Sequence, residues 1–237
     1  MLYIRSFSFY LVYVVSAVLA GLFGCLVGPF LNLKPRIKML SVWPRFSNWI
    51  LCKTCCIRIN IEGKENIPEG PFVIVSNHQG QWETFFYQYL FFPLTTLLKR
   101  ELLFIPFWGW ALALLGPIAI NRGNPRAALK KVFVEGENKI KKGFLILFFP
   151  EGTRKNPGEI GRYARSGFEL AKKTRVPVLP LVHNSGDCWP AHRFLKFPGL
   201  ITLVIGPPLD TIDSSAETSK KVEEWARKKL TEIGTKN

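Results

Sequence analysis

"PFVIVSNHQGQWETFF", Pro71 to Phe86, decides how this chain is read. Its first part, PFVIVS, is apolar at consecutive positions, the pattern of a strand buried on both faces. The second part, from Gln81, changes to helical spacing. Asn77 and His78 stand at the junction, and Glu83 follows His78 by five positions. A regular helix would set residues five apart at about 140°, so His78 belongs in the turn before the helix, with Asn77 as candidate cap and Glu83 one turn in. An unperturbed imidazole titrates near pH 6.5, and a carboxylate on one ring nitrogen fixes its tautomer and stabilises the imidazolium. His78 is therefore a candidate general base and Glu83 its orienter. A strand-end histidine satisfied by a backbone carbonyl is the plainer alternative.

Beyond this stretch the same alternation repeats. IRINIEG, LTTLLK, GPIAIN, GFLILFF, VPVLPLV and LITLVIG read as further strands. Helices are expected over Gln81 to Phe92, Glu101 to Leu115, Pro125 to Lys141, Arg162 to Lys173 and Thr218 to Ile233. The third is well punctuated, with Asn124 as cap, Pro125 at its first position and Gly143 beyond its end. The fold class is α/β: a largely parallel mixed sheet of about seven strands flanked by helices. In such sheets ligand sites gather beyond the carboxyl ends of strands. NHQGQWE, NR after GPIAI, and PEGTR after GFLILFF all fall there. Arg154 suits a phosphate, which it can bind bidentately, and Glu151 could accept from a substrate hydroxyl. Gly152 permits close backbone approach, Thr153 adds a hydroxyl, and Arg122 would be a second guanidinium at the same edge. Taken singly, each also reads as a polar turn or a solvated strand end.

The amino-terminal part is of a different kind. Ser6 to Leu33 carries no charged side chain, and about 20 apolar residues suffice to span a bilayer as a helix. Its apolar core is longer than that of a signal peptide, so residues 1–33 are read as an uncleaved membrane anchor. Lys34, Arg36, Lys38 and Arg45 follow it, against Arg5 before it, which by the positive-inside rule leaves the rest of the chain in the cytoplasm. Residues 34–57 mix aromatic residues with spaced cations; an interfacial helix and a helix packed on the core both fit. Pro44 would break or kink it. Residues 58–237 would then form the main domain.

The formal net charge of +15 points to an anionic partner: nucleic acid, an acidic protein, a phosphorylated substrate or an anionic membrane. No nucleic-acid-binding motif accompanies the membrane segment, which disfavours the first. Five cysteines are odd in number and irregularly spaced, so no disulfide framework is expected. Cys52 and Cys55 form one CxxC without a second pair, too few ligands for a zinc site. His183, Cys188 and His192 read as ordinary loop and core residues.

Taken together and in order, NHQGQWE (with its HX4E spacing), KRELLFIPFWG, GPIAINR, FFPEGTR with RSGFELA, and VPVLPLV resemble the glycerolipid acyltransferase family, and within it the 1-acylglycerol-3-phosphate acyltransferases. The resemblance runs from about Gly63 to Pro207. It implies acyl transfer from a thioester, acyl carrier protein or coenzyme A, to the free glycerol hydroxyl of lysophosphatidic acid without a covalent acyl-enzyme. His78 would take the hydroxyl proton and Glu83 would hold His78. Arg122, Glu151, Gly152, Thr153 and Arg154, with Lys99, would bind the glycerol phosphate, and Pro177 and Pro180 would shape the donor side. No metal or bound cofactor is expected. Glu83 departs from the family's commoner aspartate by one methylene, which puts the geometry of the pair in question. An acyltransferase for another lysolipid, such as a lyso-aminolipid, a non-catalytic lipid-binding protein on the same fold, and thioester hydrolysis are the rival readings.

Overall fold

A computed structural model describes residues 1–121, 123–210 and 214–234. All seven expected strands form: β1 (Ile57–Glu62), β2 (Val73–Ser76), β3 (Leu94–Lys99), β4 (Ile118–Ile120), β5 (Leu145–Phe148), β6 (Val178–His183) and β7 (Gly199–Ile205). They make one sheet in the order β1-β7-β6-β2-β5-β3-β4. Every pairing is parallel except β6 with β7. β2, β3, β4, β5 and β6 therefore end at one common edge, with β2 between β5 and β6.

Helices cover both faces: α1 (Leu2–Val27), α2 (Leu33–Leu40), α3 (Val42–Cys55), α4 (Trp82–Leu90), α5 (Trp108–Leu114), α6 (Pro125–Lys141), α7 (Ser166–Thr174), the short α8 (Ser185–Cys188) and α9 (Ser215–Gly234). Strand alternation sorts the two cores. Val73 and Val75 of β2 pack with Val132 of α6, Phe168 of α7 and Val222 of α9. Ile74 points the other way, into a core with Phe9 of α1, Leu51 of α3 and Trp82 of α4. A fully buried side chain of this size stabilises by about 1.5–3 kcal/mol, so each face holds its helices through several such anchors.

The division expected at residues 33 and 57 does not separate cores. Phe9, Leu51 and Cys55 sit in the same cluster as Ile74 and Leu203. α1 nonetheless keeps the composition of a span: an 18-residue window within Leu2–Phe30 has a mean hydropathy of 2.3, and its outer side chains Ile4, Phe7, Leu11, Leu19 and Leu26 are exposed. Pro44 does not kink α3. It lies in the first turn, where a missing N–H has no intrahelical partner to lose, and the chain breaks earlier, at Ser41.

Other boundaries differ for local reasons. The helix expected over 101–115 is split into a 3-10 turn, Arg100–Phe104, and α5. Pro106 lies between them, and Gly109 packs so closely on Leu102 that a Cβ would come within 2.4 Å of its carbonyl oxygen. α7 starts four residues later than expected; ahead of it the Tyr163 N–H donates to Glu223 and the Ala164 N–H to the Pro150 carbonyl. α6 runs as read, with Asn124 Oδ1 accepting from the Ala127 N–H at 3.1 Å.

Candidate active site

The edge where β2, β5 and β3 end carries the expected residues. His78 leaves β2 just beyond Ser76, and its Nδ1 lies 2.7 Å from Glu83 Oε1. A carboxylate only accepts, so Nδ1 carries the proton and Nε2 keeps its lone pair. The ring stacks on Phe149 with centroids 4.1 Å apart, which fixes its plane. Glu83 is wholly buried, yet all its partners are donors. Oε1 also accepts the N–H groups of Gln79 and Gly80, at 2.9 and 2.8 Å, and Oε2 accepts the Ser185 hydroxyl at 3.0 Å. Burial opposes ionisation, but the hydrogen bond from His78 and the Gly80 N–H outweigh it and hold the carboxyl well below its ordinary range.

Glu83 occupies the second position of α4, in its first turn, and Asn77 is not the cap; Gln81 fills that place. The Asn77 amide instead extends the sheet, donating to the His183 carbonyl at 2.9 Å and accepting the His183 N–H at 3.0 Å. His183 is buried, and burial pushes its pKa down. Its Nδ1 accepts the Ser185 N–H at 3.2 Å and its Nε2 faces the Asn77 carbonyl at 3.1 Å, so it is the neutral Nε2–H tautomer. Sequence reading placed His183 in the core correctly and missed Ser185 and the second role of Asn77; the polar run "HNS" directly after a buried strand is the signal that could have marked them.

The loop after β5 clasps the same histidine. The His78 N–H donates to Glu151 Oε2 at 2.9 Å, and the His78 carbonyl accepts the Lys155 N–H at 2.8 Å. Glu151 Oε1 accepts the Gly161 N–H at 2.7 Å. Both Glu151 oxygens are thus engaged by backbone, and burial raises its pKa against those two hydrogen bonds. Gly152 takes φ +69°, which turns the loop, and nothing lies near its missing Cβ.

His78, Lys99, Gly152, Thr153 and Arg154 all line one cavity of about 1560 Å³. Ala17 and Ala20 of α1, Leu40 of α2, Trp43 of α3, Phe85 of α4 and Leu112 of α5 line it too, so α1 forms part of its wall. Among the described residues, the side chains of Lys99 and Arg154 have no hydrogen bond or ion pair. Arg122 lies outside the described residues; its neighbours Asn121 and Gly123 stand at the end of β4. Pro177 and Pro180 are not at the cavity, contrary to expectation. The Pro177 carbonyl accepts the Val73 N–H at the opposite, amino-terminal edge of the sheet. Pro180 is mid-strand, paired with Val75, and both residues serve β6 itself. Among the described residues, no three His, Cys, Asp or Glu side chains converge as metal ligands.

A tautomer-fixed histidine with a free Nε2, lining one cavity with unpaired cations and many apolar side chains, can chemically serve as a base toward a hydroxyl on an amphiphile carrying an anion. Comparison with known proteins agrees: residues 58–184 match the family model described as acyltransferase, and the chain belongs to that family. It is 43% identical over 235 residues to the 1-acyl-sn-glycerol-3-phosphate acyltransferase of Pseudomonas aeruginosa, covering 97% of this chain and 91% of that one. A protein of the same name from Saccharomyces cerevisiae is 28% identical over 74% of this chain and 61% of its own. The crystal structure of the 1-acyl-sn-glycerophosphate (LPA) acyltransferase from Thermotoga maritima superposes with a TM-score of 0.81 at 26% identity, covering 98% of this chain and 95% of that one.

Proposed function

We propose that this enzyme transfers a fatty acyl group from acyl carrier protein or coenzyme A to the sn-2 hydroxyl of lysophosphatidic acid, giving phosphatidic acid. The observation that carries this reading is the 2.7 Å pairing of His78 Nδ1 with Glu83, in a cavity that also holds the unpaired Arg154 and Lys99. The names of the relatives support it. His78 Nε2 takes the proton from the acceptor hydroxyl as its oxygen attacks the thioester carbonyl. The tetrahedral intermediate then expels the thiolate, which recovers the proton from the imidazolium. Glu83 stabilises that imidazolium. Arg154, with Gly152 and Thr153 on the turn and Lys99 across it, receives the acceptor phosphate, since the phosphate lies one carbon from the carbon bearing the reacting hydroxyl. The Glu151 carboxylate serves this site by holding the turn. Arg122 is assigned to the same phosphate by its place in the sequence.

The bilayer supplies the acceptor. The exposed apolar face of α1, next to Trp49 of α3 and Trp110 of α5, is proposed to sit in the membrane, with the catalytic sheet edge on the cytoplasmic side. The test is acyl transfer to lysophosphatidic acid by detergent-purified protein with both thioester donors, beside His78→Ala. Phosphatidic acid formed by the wild type and lost in the variant supports the reading. Donor consumed without that product would move it to another acceptor or to hydrolysis, and wild-type rates in His78→Ala would remove His78 as the base.

A further inference from the structure

The segment "WPAHRFLKF", Trp189 to Phe197, reads as an ordinary loop but is built with unusual care. Lys196 at its end is completely buried. Its ammonium donates to the carbonyls of Arg193 and Phe194, both at 2.9 Å, and lies 4.7 Å from the Tyr10 ring centroid and 5.3 Å from that of Trp189. The Lys196 N–H donates to Ser6 of α1 at 2.9 Å, and the Phe197 N–H closes the base of the loop on the Cys188 carbonyl at 2.9 Å. A buried ammonium is costly unless carbonyls and aromatic faces replace its water. Here they do, and in doing so they turn the loop carbonyls inward and leave its side chains facing out. His192 is held at φ +59°, a conformation uncommon for a residue with a Cβ.

The side chains so displayed converge. His192 and Arg193 line a recess of about 280 Å³ together with Arg154 and Gln81. Gln81, Arg154, His192 and Arg193 also line the main cavity, so the recess is a side extension of it, walled further by Tyr10, Trp189 and Phe194, and His78 does not line that extension. Among the described residues, the side chains of Arg154, His192 and Arg193 have no hydrogen bond or ion pair. Arg193, an unpaired cation on a loop fixed by a buried lysine, with the His192 ring beside it, forms a site for an anion in the extension of the cavity that His78 does not line.

We propose that this recess binds the 4′-phosphate of the donor's phosphopantetheine arm, the group that acyl carrier protein and coenzyme A thioesters share. The inference rests on the acyltransferase reading above. The two substrates differ in where their phosphates must lie. The acceptor phosphate is held close to the reacting hydroxyl and so beside His78. The donor phosphate is at the far end of the extended pantetheine chain and must be gripped at a distance. Exposure of His192 and Arg193 leaves room outside for the carrier protein or nucleotide beyond the phosphate.

The test compares an S-alkyl thioether of 4′-phosphopantetheine with the same thioether lacking the phosphate, binding each by calorimetry to the full-length protein in detergent. The wild type is expected to hold the phosphorylated probe about tenfold more tightly, one charge-assisted contact's worth at a solvent-facing site. Arg193→Ala, and more fully Arg193→Ala with His192→Ala, removes that difference. Equal wild-type affinities, or a difference that survives both substitutions, overturns the proposal. In turnover with lysophosphatidic acid, Arg193→Ala should raise the KM for the donor about tenfold; a rise confined to the acceptor KM would overturn the donor assignment. Because the probes bind without reacting, a wild type that binds them as expected yet makes no phosphatidic acid would overturn lysophosphatidic acid as the acceptor and leave the recess standing.

Discussion

Glu83→Gln separates charge from shape at the catalytic pair. All four partners of the Glu83 carboxylate are donors: His78 Nδ1–H, the Gln79 and Gly80 N–H groups, and the Ser185 hydroxyl. Glutamine keeps one oxygen for the first three, and its amide can donate to Ser185 Oγ if that hydroxyl turns. The fold therefore survives while the charge is lost. With Glu83 buried and His78 mostly covered, an imidazolium about 4 Å from the carboxylate charge gains at most about 4 kcal/mol at an effective dielectric constant of ~20. That full value would be about 10³-fold in rate, and part of it is already spent on the neutral imidazole, so kcat should fall by about 10²- to 10³-fold with both KM values little changed.

The assay is thiol release from the donor, followed with a chromogenic disulfide, alongside thermal unfolding to confirm the fold. A Glu83→Gln enzyme within tenfold of wild type would refute the role of the carboxylate charge. Glu83→Asp tests the shape instead. Withdrawing the carboxylate by about 1.5 Å stretches hydrogen bonds now at 2.7–3.0 Å beyond useful length. Activity should drop by about tenfold or more and the melting temperature should fall. Wild-type behaviour in Glu83→Asp would mean that the start of α4 moves to follow the shorter side chain, against the rigid clasp described here.

Ser185→Ala deprives buried Glu83 Oε2 of its hydroxyl, and is expected to cost about 1–3 kcal/mol in denaturant unfolding and to lower kcat without raising KM; Ser185→Thr, which keeps the hydroxyl, should restore part of both. Arg154→Ala should raise the KM for lysophosphatidic acid about tenfold and that for the donor less, and equal rises would remove it from the acceptor phosphate. Lys196 has its pKa lowered by burial from 10.5 to about 8. Between those values the unfolded chain binds more protons than the folded one, so this group makes stability rise with pH from about 8 upward and adds no slope below that. Urea denaturation across this range should show the slope in the wild type and not in Lys196→Met.

The strands were legible because burial on both faces leaves uninterrupted apolar runs such as VIVS and LILF, whose length and flanking turns admit little else. Three motifs at strand ends then had to share an edge; His78 and Arg154, from two of them, line one cavity, and Arg122 of the third lies outside the described residues. Sequence could not show how Glu83 copes with its extra methylene, because the answer lies a hundred residues away in the Ser185 hydroxyl. Nor could it show that α1 walls the cavity. An uncharged helix reads as a lipid anchor whether or not one stripe of it is buried, and Ser6 and Phe9 are buried only because Lys196 and Trp189 come to meet them. Pro177 and Pro180 misled for a related reason: a motif records what a strand needs for its own packing as readily as what a substrate needs.

The charges around the catalytic edge fall into two groups, and the division accounts for how an anionic substrate can approach. Glu83 and Glu151 bear negative charge close to His78, and left free they would repel a phosphate. Each is instead covered by donors from the protein: backbone N–H groups, the Ser185 hydroxyl and His78 itself. The cations on the cavity and its recess, Lys99, Arg154 and Arg193, have no such partners among the described residues. Acidic side chains here build the site, and on the function proposed above the basic ones receive the ligand. Deleting an acid should therefore show itself in kcat and stability, and deleting a cation in KM, a contrast that the Glu83, Ser185, Arg154 and Arg193 variants together put to the test.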